Sequence, residues 1–360
     1  MRWTLTASLV LFGLAVAAGP AAAAAGDASQ ARLSYEAMQR ALFDPRSGGY
    51  RETVGARPGV RAWPFSQALA ATIAIAELPQ TRRVGERAVE QRLVRLEQRF
   101  RKGRVYAAWP GGDVYLDDNE WIAEDLLNWD ALRGDPAARR WATEIFAAAL
   151  RAWDTDPTHV CPGGVYWTAG SANQDRNAVS TVNGAVVGLR LYALTHRAST
   201  LAWAKRMLAW VDRCLLAPNG LTGDHIRADG SIDQTQWSYN QGSLLGAYLL
   251  LYETTGDASA LTRAESIADA AVAAFAPRWA TGEPPEFAAI FFRRLLALAA
   301  VDGRARYVAA ARSYAGWAWK TLRNPKTGLF ATRGRPRLLD QAALVQLYAA
   351  LARPRLTAGR

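Results

Sequence analysis

Residues 115–153, YLDDNEWIAEDLLNWDALRGDPAARRWATEIFAAALRAW, contain two runs with apolar residues at three- and four-residue spacing, separated only by Gly134-Asp135. That period belongs to amphipathic helices, and a link this short forces two helices to run antiparallel. Thr195-His196-Arg197 and Thr255-Gly256-Asp257 repeat the arrangement further along the chain, although Asp257 also suits the cap of the following helix. No run alternates with the two-residue period of a strand, so the expected fold is all-α. Expected helix spans are roughly 28–43, 64–77, 81–100, 117–133, 136–154, 177–195, 199–217, 239–255, 257–276, 285–300, 304–320 and 338–352.

The links alternate in length. Those after the helices at 64, 117, 177, 239 and 285 are about one to four residues, whereas those before them are mostly about ten to twenty residues and rich in Gly, Pro, Trp and Tyr. If the hairpins pack side by side, every long loop emerges on one face. This is the layout of an (α/α)6 barrel, a toroid of six helical hairpins, with inner helices starting near 64, 117, 177, 239, 285 and 338. A helical solenoid is the alternative, but it does not call for loops elaborated on one side. No linker divides the chain after its N-terminal segment, so one domain over residues 26–360 is expected.

The polar residues at the inner-helix starts are then expected to meet in one cleft: Phe65-Ser66-Gln67, Asp117 to Glu120, Asn177 to Asn183, Tyr239-Asn240-Gln241, Glu286 and Asp340-Gln341. Capping alone explains a polar helix start at any one of these. Six around one depression suit a hydroxyl-rich ligand. Among them Asp117-Asp118 stands out, flanked by Trp109, Tyr115 and Trp121. Glycosidic cleavage needs one carboxyl to protonate the leaving oxygen and a second as nucleophile or base, and sugar rings stack on aromatic faces. Adjacent residues at a helix start splay by about 100°, so two carboxyls sit roughly 5 to 7 Å apart, and their mutual repulsion favours one holding its proton.

Residues 1–25 read as a secretory signal. Arg2 gives a short basic start, Trp3 to Ala18 an apolar core, and Ala22 to Ala25 a small-residue cleavage site; retention as a membrane anchor is the alternative. An extracytoplasmic location follows, secreted or in the cell envelope. About 335 residues remain, enough to bury a sizeable core. The two cysteines, Cys161 and Cys214, are expected to pair in an exported chain, with two separate buried thiols as the alternative. The formal net charge of +11 is dispersed along the helices, which argues against a nucleic-acid partner and suits transient contact with an anionic envelope. The three histidines, His159, His196 and His225, lack metal-ligand spacing. No Gly-x-Ser-x-Gly elbow or phosphate-cradling Gly-rich signature is present.

Several segments resemble glycoside hydrolase family 76, the α-1,6-mannanase family, in that family's order and across essentially the whole chain after residue 25. Tyr115 to Ile122 is similar to its Asp-Asp active-site helix, Gly163-Gly164-Val165-Tyr166-Trp167 to its Gly-Gly-x-x-Trp loop, and Asn177 to Ser180 to the inner helix that follows. Tyr239-Asn240-Gln241-Gly242, with Leu251-Tyr252 and Thr255-Gly256-Asp257, resembles its Tyr-Asn-Gln-Gly helix and turn; Phe291-Phe292-Arg293 and Leu339 to Ala342 resemble late segments. The resemblance implies an (α/α)6 barrel, a retaining mechanism, no metal or other cofactor, and a mannan polysaccharide or glycolipid substrate. It also implies Asp117 as nucleophile and Asp118 as general acid/base, an order that spacing alone leaves open.

Trp109, Tyr115, Trp167 and Tyr239 are candidate stacking or hydroxyl-contacting platforms, Asp224 resembles a family aspartate that contacts a neighbouring sugar, and Asn183, Asn240 and Gln241 are candidate hydroxyl readers. The expectation is a monomeric, exported, retaining glycosidase acting on α-1,6-linked mannan. The rivals are a transglycosidase on cell-wall or lipid-anchor glycans, a non-catalytic mannan-binding envelope protein, and a lyase or isomerase on the same barrel. Loss of either aspartate would mark the non-catalytic protein, and a His or Tyr base the lyase.

Overall fold

The computed structural model describes residues 20–353 apart from 171, 172, 281 and 333, with side chains from residue 23. Twelve helices account for most of them: α1 (Pro20–Leu42), α2 (Ala62–Ala76), α3 (Arg82–Phe100), α4 (Leu116–Arg133), α5 (Pro136–Arg151), α6 (Ala178–Thr195), α7 (Ala198–Cys214), α8 (Ser238–Thr255), α9 (Ala258–Phe275), α10 (Pro285–Asp302), α11 (Ala305–Thr321) and α12 (Leu338–Ala352). The first begins earlier than expected, because the alanine run Ala21 to Ala25 continues the helix behind Pro20. Residues 1–19 of the export segment lie outside the described residues, while Ala22 to Ala25 fall in the opening turns of α1. Among the described residues no helix is long and apolar enough to cross a membrane.

The even-numbered helices form the inner ring. Each packs on the next, α2 on α4, α4 on α6, α6 on α8, α8 on α10 and α10 on α12, and α12 closes the circle against α2. An inner helix is covered both by its neighbours and by an outer helix. Its residues are accordingly buried on every side, as in α12, where Leu338 to Ala349 are all buried. The outer helices α3, α5, α7, α9 and α11 follow their inner partners, whereas the outer partner of α12 is α1, so the two ends of the chain complete the sixth hairpin together. The result is an (α/α)6 barrel. Two glycines permit close helix-to-helix approaches: a Cβ on Gly85 would lie 2.5 Å from Ala76 Cα, and one on Gly242 2.6 Å from Phe291 Cα.

The short links have a common chemistry. Gly134, His196, Gly256 and Gly303 end their inner helices in the left-handed conformation, and Asp135 and Asp257 then cap the outer helices, accepting from the amides of Ala137 and Ala138, and of Ser259. All of these links lie on the face opposite the long loops. Among the described residues the loops contain strands that the sequence had not indicated: seven of two residues each, too short to alternate visibly. Three of them, Arg176–Asn177, His225–Ile226 and Ile232–Asp233, pair antiparallel as one sheet at the starts of α6 and α8. The structure joins Cys161 to Cys214 in a disulfide with a Cα–Cα distance of 6.1 Å, tying the loop before α6 to the end of α7.

Candidate active site

The starts of the inner helices converge on the barrel axis. Trp121 of α4, Val179 of α6 and Ile290 of α10 form a buried cluster against which Trp63 of α2 and Tyr239 of α8 pack. Phe287 extends this apolar floor, with ring centroids 4.4 Å from Tyr239, 5.5 Å from Trp237 and 6.4 Å from Trp63. One turn deeper the bore is ionic: Arg294 pairs with Glu124, Arg190 donates to the Glu124 carbonyl at 3.2 Å, and Arg293 lies near Asp125. Both these acids are buried.

Asp117 and Asp118 stand above this floor in the first turn of α4, partly shielded from solvent. Their surroundings differ. The Trp167 indole N–H donates to Asp117 Oδ1 at 3.1 Å, and the backbone amides of Asp118 and Asp117 also serve that carboxylate. Burial raises the Asp117 pKa to about 6 against these donors, with a further push from Asp224. Asp118 has no comparable set of donors; burial and then the charge of Asp117 hold its pKa well above the usual carboxylate range, opposed by Arg61. The Asp118 carboxyl is therefore held more strongly toward its protonated form than the Asp117 carboxyl, which has the donors that favour an anion. The helix N-terminus adds to the preference for an anion at Asp117.

The loop that carries Trp167 is held to the same helix. Leu116 N–H donates to the Trp167 carbonyl at 2.9 Å, the Tyr115 ring meets the Trp167 indole edge-on at 5.0 Å, and Trp167 N–H donates to the Asp175 carbonyl at 2.8 Å. Asp224 faces the pair from the loop before α8. Its Oδ1 accepts from Asn240 Nδ2 at 2.8 Å and Tyr239 OH at 3.3 Å, and its Oδ2 lies 2.8 Å from His225 Nδ1. Hydrogen bonding to Asp224 and the nearby Asp175 and Asp233 raise the His225 pKa against its burial, and burial with the charges of Asp224 and Asp117 keeps the Tyr239 phenol neutral. Trp109 lies at the rim, over a third exposed, with the Arg61 guanidinium 5.2 Å above its ring.

Asn183 is fully buried one turn below Val179, and neither of its amide atoms has a partner among the described residues; the same holds for Asn240 Oδ1, Ser180 Oγ and both carboxyl oxygens of Glu120. Glu120 is pushed well above the carboxylate range by its burial and by Asp117 and Glu124.

Gln241 is a correction to the expected hydroxyl readers. It is fully buried, its Oε1 accepts from Thr222 N–H at 2.9 Å, and its Nε2 donates to the Thr222 and Trp237 carbonyls. Its work is to pin the loop ahead of α8. Asn119 does the same for Tyr106 and Gln341 for Phe330, each at the fourth residue of its helix, and Thr181 serves Val165 N–H from the fourth residue of α6. Glu286 and Asp340 are likewise engaged, both by Arg337 at 3.0 and 2.6 Å. Gln67 bonds Gln346 inside the barrel. Arg61, Trp63 and Phe287 were absent from the sequence-based site; a Trp at the second residue of an inner helix, where Asp117 and Tyr239 also stand, was the available signal. Among the described residues no group of three or more His, Cys, Asp or Glu side chains is arranged to hold a metal ion.

With this geometry in place, the sequence model of glycosyl hydrolase family 76 matches residues 28–286, which span α1 to the start of α10 and include both aspartates. The chain belongs to glycosyl hydrolase family 76. A mannan endo-1,6-alpha-mannosidase of Saccharomyces cerevisiae is 32% identical over 125 residues, 32% of this chain and 27% of the relative. A putative mannan endo-1,6-alpha-mannosidase of Schizosaccharomyces pombe is 30% identical over 193 residues, 49% of this chain and 43% of the relative. The matched parts thus span less than half of these relatives. Among solved structures, a family 76 glycoside hydrolase (mannosidase) of Bacteroides thetaiotaomicron shares the fold with a TM-score of 0.82 at 22% identity, covering 91% of this chain and 98% of that one. An inactive variant of an α-1,6-mannanase of Salegentibacter sp., with two consecutive aspartates changed to asparagine and α-1,6-mannotriose bound, superposes with a TM-score of 0.77 at 23% identity, covering 91% and 99%.

Proposed function

We propose that this family 76 chain is an exported, retaining glycoside hydrolase that cleaves α-1,6-mannosidic bonds within mannan or mannan-containing envelope glycans. The observation that carries the reading is the unequal environment of the two aspartates. Asp118 gives its proton to the glycosidic oxygen as that bond breaks, while Asp117 attacks the anomeric carbon and forms a covalent glycosyl ester. Asp118, now ionised, takes a proton from water, and the resulting hydroxide displaces Asp117 and restores both groups. Trp167 holds Asp117 in its anionic form, and Tyr239, Asn240 and Asp224 offer hydrogen bonds to hydroxyls of an adjoining sugar. The linkage is supported by the names of the two fungal relatives and by the mannotriose held in the Salegentibacter structure, where a pair of neighbouring aspartates had been replaced. Export is supported by the Cys161–Cys214 disulfide and by the character of residues 1–25.

The test is incubation of the purified protein with linear α-1,6-mannan and sizing of the products. Short oligosaccharides ahead of free mannose are expected, with Asp117→Asn and Asp118→Asn each at least about a thousandfold slower while remaining folded. An intact polymer, or a variant retaining more than about a tenth of wild-type turnover, would overturn the reading. Transfer to an added acceptor glycan in place of hydrolysis would establish a transglycosidase.

A further inference from the structure

Arg92, Arg95 and Arg99 lie on one face of α3, turned toward the long loop between α1 and α2. Arg92 is fully engaged: buried, it donates to Tyr50 OH at 3.1 Å and Gln39 Oε1 at 2.8 Å and lies over the Phe43 ring. Its two neighbours are not. Among the described residues neither Arg95 nor Arg99 forms an ion pair with a carboxylate, and Arg95 Nε is buried without a hydrogen-bond partner. Burial and the adjacent Arg95 both oppose the charge on Arg99. Two guanidiniums without a carboxylate partner are thus held side by side, an arrangement suited to receiving an anion.

The pair lines a cavity of about 40 Å³ together with Ser47, Gly49, Tyr50, Pro58 and Gly59. The lining leaves room at the cations: Gly59 has φ 138°, and a Cβ there would lie 3.3 Å from Arg99 Nη2. The space corresponds to about three water-sized probes, too small for a sugar ring and suited to a tetrahedral oxyanion. Two guanidinium forks match the geometry and double charge of such a group. The mouth opens at the exposed Pro58-Gly59, two residues before Arg61, which acts on Asp118. The loop that walls the cavity thus leads directly into Arg61.

We infer that Arg95 and Arg99 form a binding pocket for a phosphate group beside the active-site cleft. The pocket takes either free phosphate or a phosphate carried on a sugar. It goes beyond the glycosidase reading and does not rest on it, since binding is measured without turnover.

The experiment is isothermal titration of the full-length protein, in a zwitterionic buffer at low salt, with inorganic phosphate, mannose 6-phosphate and mannose. Both phosphates are expected to bind, and Arg95→Gln and Arg99→Gln each to weaken them at least about tenfold, in line with the loss of a charge-assisted bond. Tighter binding of mannose 6-phosphate identifies a sugar-borne group, and equal binding identifies free phosphate. Because Arg99 is only half-buried, Arg99→Gln is expected to fold as the wild type, checked by circular dichroism, and decides the matter if Arg95→Gln does not fold. Absence of binding at about 20 mM phosphate, far weaker than a paired-arginine site should give, or unchanged phosphate binding in folded Arg99→Gln, would overturn the inference.

Discussion

Replacing Trp167 with Phe keeps an aromatic ring beside Tyr115 but removes the indole N–H that donates to Asp117 Oδ1 at 3.1 Å. A hydrogen bond to a charged group contributes about 1.5 to 3 kcal/mol, and about 1.4 kcal/mol corresponds to one pKa unit. The bond stabilises the ionised form of Asp117, so its loss raises a pKa already lifted to about 6 by burial. A rise of about one unit carries it to about 7. If Asp117 must be ionised to act, the ascending limb of kcat/KM against pH shifts upward by the same amount. For that shift, activity falls about eightfold at about pH 5.5 and less than about twofold near pH 7. The assay is initial-rate release of reducing ends from α-1,6-mannan across this range, for wild type and Trp167→Phe. A uniform loss at every pH would mean that Trp167 serves only packing or sugar contact, and a limb displaced downward would contradict the assignment of Asp117 as the working anion.

Cys161→Ser with Cys214→Ser opens a loop closed across a sequence separation of 53 residues. Loop-closure entropy then gives a destabilisation of about 4 kcal/mol and a Tm lower by about 6 °C for a domain of this size; equal melting temperatures with and without reductant would argue against the bond in the folded protein. Gly242→Ala places a methyl 2.6 Å from Phe291 Cα, where backbone must move. It is expected to lower stability to urea by about 1 to 3 kcal/mol, and a neutral result would mean that α8 and α10 pack less closely than described.

The elements readable from the sequence were those with local causes. Gly134-Asp135 ends one helix and caps the next within two residues, so the hairpin was visible in the residues that make it. The inner ring was visible in the alternation of the links, short after each inner helix and mostly long before it. The unequal surroundings of Asp117 and Asp118 were not, because they depend on Trp167, fifty positions away and brought back by the Leu116–Trp167 backbone bond. Gln241 was misread for the same reason: a polar residue at a helix start has the same sequence signature whether it greets a sugar or, as here, both backbone groups of Thr222. Arg61 is one of 43 basic residues and had nothing to mark it until the fold set it near Asp118. Strands of two residues have no period to detect, yet one such pairing places Asp224 opposite the acids.

In the proposed reaction, neighbouring aspartates of unequal acidity perform a double displacement on an α-linked mannan. Proton NMR of the anomeric region during the first minutes of cleavage, before mutarotation mixes the signals, tests it most directly. Two inversions restore the starting configuration, so the first-formed reducing ends are expected to be α. First-formed β ends would contradict it, since they require direct attack of water and leave Asp117 no part as a nucleophile.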